Sequence, residues 1–384
     1  MNMINKISLS GLVIELAAQI QGTPAPTFDE HLRADFILHK WQALGVKEAW
    51  RDEVGNVYAR LPGLKNLPSL VISAHLDTVF PVDTDISLRR THDRIYGPGI
   101  GDNSLGLAGL FGCYWSLTGS ARMRKKLPAL QGDVWFVANV AEEGLGDLKG
   151  MKAVVDYFGA DPQAYLVLEG MSLGQIYHQG LGVRRYRITV HTGGGHSWID
   201  YGNPSAIHQL AELIVKINHI PIPREPRTSI NVGMVKGGTS VNTIAALASC
   251  ELDLRSEDSQ SLEAVIERVL ALISEADQMG AVGVHVEAEI IGDRPTGAIP
   301  PDHQLVEIAS DCYKKKGLQP CLTIGSTDAN VPLSRGLPAI CIGLTTGGGA
   351  HTLGEYIDTA PLAQGLNALV DIVRAIDKDG ISKG

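Results

Sequence analysis

Aromatic residues make up only 5% of this 384-residue chain, and its 5 cysteines are scattered. Cys113, Cys250, Cys312, Cys321 and Cys341 form no CxxC pair and no zinc-finger spacing. That pattern excludes a disulfide framework and reads as reduced thiols in a cytosolic protein. Positive charge is also scarce: 33 Lys and Arg stand against 42 Asp and Glu, for a net charge of -9 with no basic stripe. Nucleic acid and anionic membrane are therefore poor partners on electrostatic grounds. No apolar window approaches the length needed to span a bilayer. The N-terminal run LSGLVIELAAQI is interrupted by Glu15 and reads as an amphipathic helix rather than a signal peptide. No GxSxG or cysteine-centred motif is present, so a covalent mechanism has little support.

Hydrophobic residues amount to 44% and glycines to 43, a balance that suits a globular chain rich in tight turns. The apolar spacing predicts a helix over HLRADFILHKWQALG (His31–Gly45), then strands over VGNVYARLPG and SLVISAHLDTVF. GDNSLGLAGLFGCYWSL reads as a loop opening a buried helix, and DVWFVANVAEE and AYLVLEG read as buried strands that end on glutamates. From Gly182 the order becomes strand, helix, two strands, helix, strand, which is the ferredoxin-like split arrangement. The expectation is an α/β fold. A catalytic domain of residues 1–178 and 296–384, with a mixed sheet between helices, carries an inserted domain at 179–295.

Polar groups recur where the apolar strands stop, the edge at which open α/β sheets place their ligands. They are His75, Asp77, Asp102, Glu142, Glu143, Glu169 and His351. Period-two geometry points His75 and Asp77 the same way, as suits a metal ligand and the carboxylate that orients it. Imidazoles and carboxylates together suit a cation such as zinc. Two ions fit better than one, because a shared bridging carboxylate lets five residues hold both and leaves a water between them to be acidified. Adjacent glutamates are commonly a solvated surface pair. Directly after VWFVANVA, Glu142 and Glu143 read instead as one ligand and one proton carrier. GPGIGDN lacks the Lys-Ser/Thr of a phosphate loop, and its glycines read as the turn that delivers Asp102.

Taken in order, HLDTVFP, YGPGIGDN, EEGLG, LEG, GGGHSW and HTLGEYID resemble the zinc-dependent peptidases and deacylases related to peptidase T, glutamate carboxypeptidase, acetylornithine deacetylase and aminoacylase. The resemblance covers nearly the whole chain. It implies a dizinc exopeptidase-type catalytic domain with a ferredoxin-like lid and dimerisation domain. One ion is then held by His75, Asp102 and Glu169, and the other by Asp102, Glu143 and His351. It further implies Asp102 as the bridge, a cis peptide at Asp102-Asn103, Asp77 as acceptor of the His75 imidazole proton, and Glu142 as general base and acid. His196 would reach the substrate carbonyl in a partner subunit's site.

Asn242 and Arg255 resemble positions that bind a substrate carboxylate, with a surface ion pair as the alternative for Arg255. Asp328, in GSTDAN, either organises the site or caps a helix. The implied protein is a cytoplasmic homodimer with two divalent ions, zinc first and cobalt or manganese next. It would cleave a terminal amide bond of a small peptide or N-acyl amino acid. Deacylation is the alternative chemistry, and a catalytically silent metal-binding scaffold the alternative class.

Overall fold

Six consecutive buried residues, Leu70–His75, form a central strand of the computed structural model, which describes residues 8–120, 128–279 and 283–381. Residues 1–7, 121–127 and 382–384 of the expected catalytic domain, and 280–282 of the expected insertion, lie outside the described residues. The chain divides into two compact units, one of them Leu181–Thr296 and the other built from the chain on either side of it.

In the discontinuous unit, Leu70–His75 lies parallel to both Val134–Asn139 and Ala164–Glu169. Ala339–Gly343 continues the parallel set beyond Ala164–Glu169. Val57–Leu61 and Gln175–Gly180 flank the parallel strands with antiparallel pairings, so the sheet is mixed, as expected. These strands are apolar along nearly their whole length because helices cover the sheet. Leu9–Gln21, His31–Ala43, Gly106–Thr118 and Leu362–Asp379 contribute buried residues to the same core. At its heart Trp41 stacks on Phe111 at 3.9 Å. Parallel register then sets the ends: His75 pairs with Asn139 and Gly343 with Glu169, so polar strand termini share one edge.

The continuous unit folds as strand Gly182–His191, helix Ala206–Asn218, strands Thr228–Gly237 and Leu247–Ser256, helix Ser259–Met279 and strand His285–Arg294. Every pairing in its sheet is antiparallel, and Gly182–His191 lies between Leu247–Ser256 and His285–Arg294. This is the ferredoxin-like order read from the sequence. Its core packs Tyr186, Ile188, Leu210, Leu213, Leu254 and Val269. Among the described residues, no helix is long and apolar enough to cross a membrane.

Candidate metal centre

Asp102 reaches the sheet edge from a turn rather than from a strand. Gly99 takes φ 71°, a conformation open to glycine at little cost, and the Asp102-Asn103 peptide is cis. Gly170, which follows Glu169, has to be glycine, because a Cβ there would lie 2.1 Å from the Gly101 carbonyl oxygen. The resulting close approach brings the Asp102 and Glu169 segments together. Ala141 at φ 56° and His351 at φ 63° occupy the left-handed region, which costs a residue with a side chain about 1–2 kcal/mol. Strain of this kind, beside Glu142 and at His351 itself, falls where side chains must be aimed.

The two carboxylate oxygens of Asp102 face different imidazoles. Oδ1 is 3.0 Å from His75 Nε2, and Oδ2 is 3.1 Å from His351 Nε2. Glu169 Oε2 stands 3.9 Å from the same His75 nitrogen, and Glu143 Oε1 is 3.1 Å from the same His351 nitrogen. Donors at 2.0–2.1 Å from a tetrahedral zinc are roughly 3.3 Å apart, so both clusters have the spacing of a ligand shell. His75, Asp102 and Glu169 offer donor atoms all within 4.8 Å of one another, as do Asp102, Glu143 and His351. The set His75, Glu142 and Glu143 meets the same limit, so Glu142 borders both clusters.

Burial alone would lower the pKa of His75, but the carboxylates of Asp102, Asp77 and Glu169 raise it well above 6.5. Hydrogen bonds to Asp102 and Glu143 push His351 up to about 10. Burial works to raise Asp102, and the two imidazoles overcome it and hold its carboxyl far below the usual range. Burial, with repulsion from Asp102, Glu142 and Asp328 acting against the pull of His75, drives Glu169 up. The carboxylates thus favour the protonated form of both imidazoles, and a cation at the cluster competes with those protons.

Asp77 serves both His75 and the neighbouring strand end. The nearer acceptor for His75 Nδ1 is the Asp77 carbonyl oxygen at 3.0 Å, while carboxylate Oδ1 is 3.5 Å away. The carboxylate also accepts the backbone N–H groups of Glu142 (3.0 Å) and Glu143 (2.9 Å) and the Thr27 hydroxyl (2.9 Å). Two divergent amides at the strand end need an acceptor, and a buried carboxylate meets both. Asp328 is fully buried and accepts from Asn139, the residue paired with His75, which ties it to the sheet edge beside the cluster.

In the ferredoxin-like unit, His196 and Asn242 come together. Gly195–His196 pairs with Thr243–Ile244, and Ser197 N–H donates to the Asn242 carbonyl. His196 Nδ1 accepts from the amides of Trp198 (3.2 Å) and Ile199 (3.4 Å), so the neutral ring carries its proton on exposed Nε2. Trp198 itself is 85% exposed. Arg255 does not join them. It lies in the row of Val183, about 27 Å along the strand from Leu247 at ~3.4 Å per residue, with Nε 2.6 Å from Asp253. Arg255 and the Asn242 segment thus adjoin opposite ends of the strand Leu247–Ser256. Arg294 occupies the other side of the Val183 row, a position the sequence reading passed over.

Further supports surround the cluster at positions given no role by the sequence motifs. Glu30 accepts the Ala141 amide at 3.0 Å, and buried Arg33 donates to the carbonyls of Thr23 and Leu76. Glu355, whose carboxyl burial pushes up to about 7, accepts from the Asp102 turn.

The model of "Peptidase family M20/M25/M40" matches residues 71–375. The fold is similar to that of aminopeptidase PepT from Bacillus cereus, at TM-score 0.77 and 22% identity over 97% of this chain and 100% of that one. A tripeptidase from Staphylococcus aureus matches with TM-score 0.79 and 19% identity over 97% and 100%. The Bacillus subtilis YxeP protein, described as a dinuclear metal binding peptidase, matches with TM-score 0.66 and 17% identity over 96% and 98%. With its motifs in order and its fold in place, the chain belongs to peptidase family M20/M25/M40, the metal-dependent hydrolases of peptide bonds.

Proposed function

We propose that this chain is a dizinc exopeptidase that cleaves a terminal amide bond of small peptides. One observation carries the reading: Asp102 divides its two oxygens between His75 and His351, as a ligand bridging two ions would. His75, Asp102 and Glu169 would hold one ion, and Asp102, Glu143 and His351 the other. The N and O donor set favours zinc, with cobalt and manganese next. When bound, such ions polarise the scissile carbonyl and acidify the attacking water.

The chain's own groups do the rest. Glu142, beside both clusters, takes the proton of the water and returns it to the leaving amine. Asp77 holds Glu142 and Glu143 by their amides. His196 Nε2–H donates to the carbonyl oxygen as charge develops there, and Asn242 on the same ribbon contacts the substrate end. The separation between Asn242 and Arg255 supports a homodimer in which His196 and Asn242 serve the cluster of a second copy. Arg255, paired with Asp253, would meet a substrate carboxylate from its own end of the sheet.

The test is hydrolysis by metal-loaded protein of free tripeptides, the same peptides blocked at the amine or at the carboxylate, and N-acetyl amino acids. Turnover of free tripeptides that is lost on amine blocking establishes an aminopeptidase. Loss on carboxylate blocking alone establishes a carboxypeptidase, preferential turnover of N-acetyl amino acids a deacylase, and no turnover of any member overturns the reading.

A further inference from the structure

Glu355 is fully buried, and its carboxylate accepts three backbone amides of one turn. Gly99 N–H reaches Oε2 at 2.9 Å, while Gly101 N–H (2.7 Å) and Asp102 N–H (2.8 Å) both reach Oε1. Its carbonyl oxygen accepts a fourth amide, that of Gly97, at 2.9 Å. On its other side Glu355 closes the loop that bears His351. Its own N–H donates to the Thr352 carbonyl, and Thr352 N–H donates to that of Gly349. One side chain therefore ties together the two segments that present Asp102 and His351.

Burying a carboxylate beside the carboxylate of Asp102 is unfavourable, and apolar packing would be the cheaper way to fill such a site. Ile100 anchors this turn in the core, but the glycines at 97, 99 and 101 have no side chains to hold the backbone between them, and their amides need an acceptor. A single acceptor that binds them converts a flexible turn into a rigid mount. Asp102 has to present one oxygen to each cluster, and a rotation of its main chain would lose one of the two.

We infer that Glu355 is a positioning residue for the bridging carboxylate, setting the register between Asp102 and His351 on which two-ion binding depends. The inference rests on the two-ion reading above. It requires no contact between Glu355 and either substrate or ion.

The experiment is titration of metal-free protein with cobalt(II), following absorption and bound metal, together with urea unfolding of the same samples. Wild type, E355Q and D377N are compared. D377N is the control because Asp377 also accepts backbone amides, from Gln131 and Gly132, but touches no donor of the clusters. E355Q turns one acceptor into a donor facing Gly99 N–H. It is expected to bind cobalt about 10- to 100-fold more weakly and with a changed spectrum. D377N is expected to lose stability with metal affinity unchanged. Should E355Q not fold, E355D, which keeps the charge but reaches fewer of the amides, is titrated with the same expectation. Affinity of the Glu355 variant within twofold of wild type overturns the inference while leaving the two-ion reading intact. Wild type that binds fewer than two ions overturns both.

Discussion

The Asp77 carboxylate accepts the backbone amide of Glu143 at 2.9 Å through Oδ2, the same oxygen that takes the Thr27 hydroxyl. A residue that reads in sequence as a partner for its neighbour His75 thus acts on a strand end more than sixty positions away. Asp77→Asn keeps one acceptor and loses the charge. Charge-assisted bonds to buried amides are worth about 1.5–3 kcal/mol, so a destabilisation of about that size is expected in urea unfolding of the metal-free protein. Metal affinity should fall as well, because Glu143 loses its mount. An unchanged unfolding midpoint would refute this account of Asp77.

Glu142→Gln preserves shape and removes the proton carrier. The variant should bind metal like wild type and lose about 10²- to 10⁴-fold in kcat. Metal content together with steady-state kinetics on a cleaved tripeptide checks both halves, and wild-type turnover by a metal-loaded variant would remove Glu142 from the mechanism.

Protons and metal compete at His75 and His351, whose pKa values the surrounding carboxylates raise, that of His351 to about 10. In the metal-free chain a raised histidine contributes stability that is complete below about 6.5 and is lost as pH climbs toward the folded value. Metal binding runs the other way and strengthens with rising pH, because each imidazole must shed its proton. Calorimetric titration with zinc in two buffers of different ionisation enthalpy should show proton release, with apparent affinity increasing from pH 6 to pH 8. Binding without proton release would contradict the charge state assigned here.

If His196 of one copy serves the cluster of another, two inactive variants should rescue each other. His196→Ala and Glu142→Gln, unfolded together and refolded in equal amounts, give half mixed dimers, each with one site free of both changes. Recovery of about a quarter of wild-type activity is expected. No recovery from a sample shown to contain mixed dimers would mean that His196 does not act across copies.

Sequence exposed the parts of this site that interrupt a strong pattern. His75 ends a fully buried strand, Glu142 and Glu143 follow another, and Glu169 ends a third, so each breaks a largely apolar run that a core residue would have continued. The ferredoxin-like order was legible for the same reason, as alternating strands separated by helical spacing. The supports were not legible. Glu355, Asp77 and Glu30 bind main-chain N–H groups, which every residue except proline possesses, so no side chain marks the partner. The amides that donate to Glu355 lie some 250 positions away, and the charge of Arg33 meets carbonyl oxygens. Arg255 and Asn242 look neighbourly in sequence because they are only thirteen positions apart. A ten-residue strand spends that interval moving steadily away from the ribbon.

The exposed indole of Trp198 gives the molecule an optical property of its own. Of the other tryptophans, Trp41 is buried and Trp50, Trp115 and Trp135 are half-buried, so the most red-shifted, readily quenched emission comes from the loop that orients His196. Whatever comes to lie against that loop dehydrates the ring and moves its emission to shorter wavelength, with W198F as the blank. Occupation of the His196 surface can therefore be followed by light, in real time and without a label.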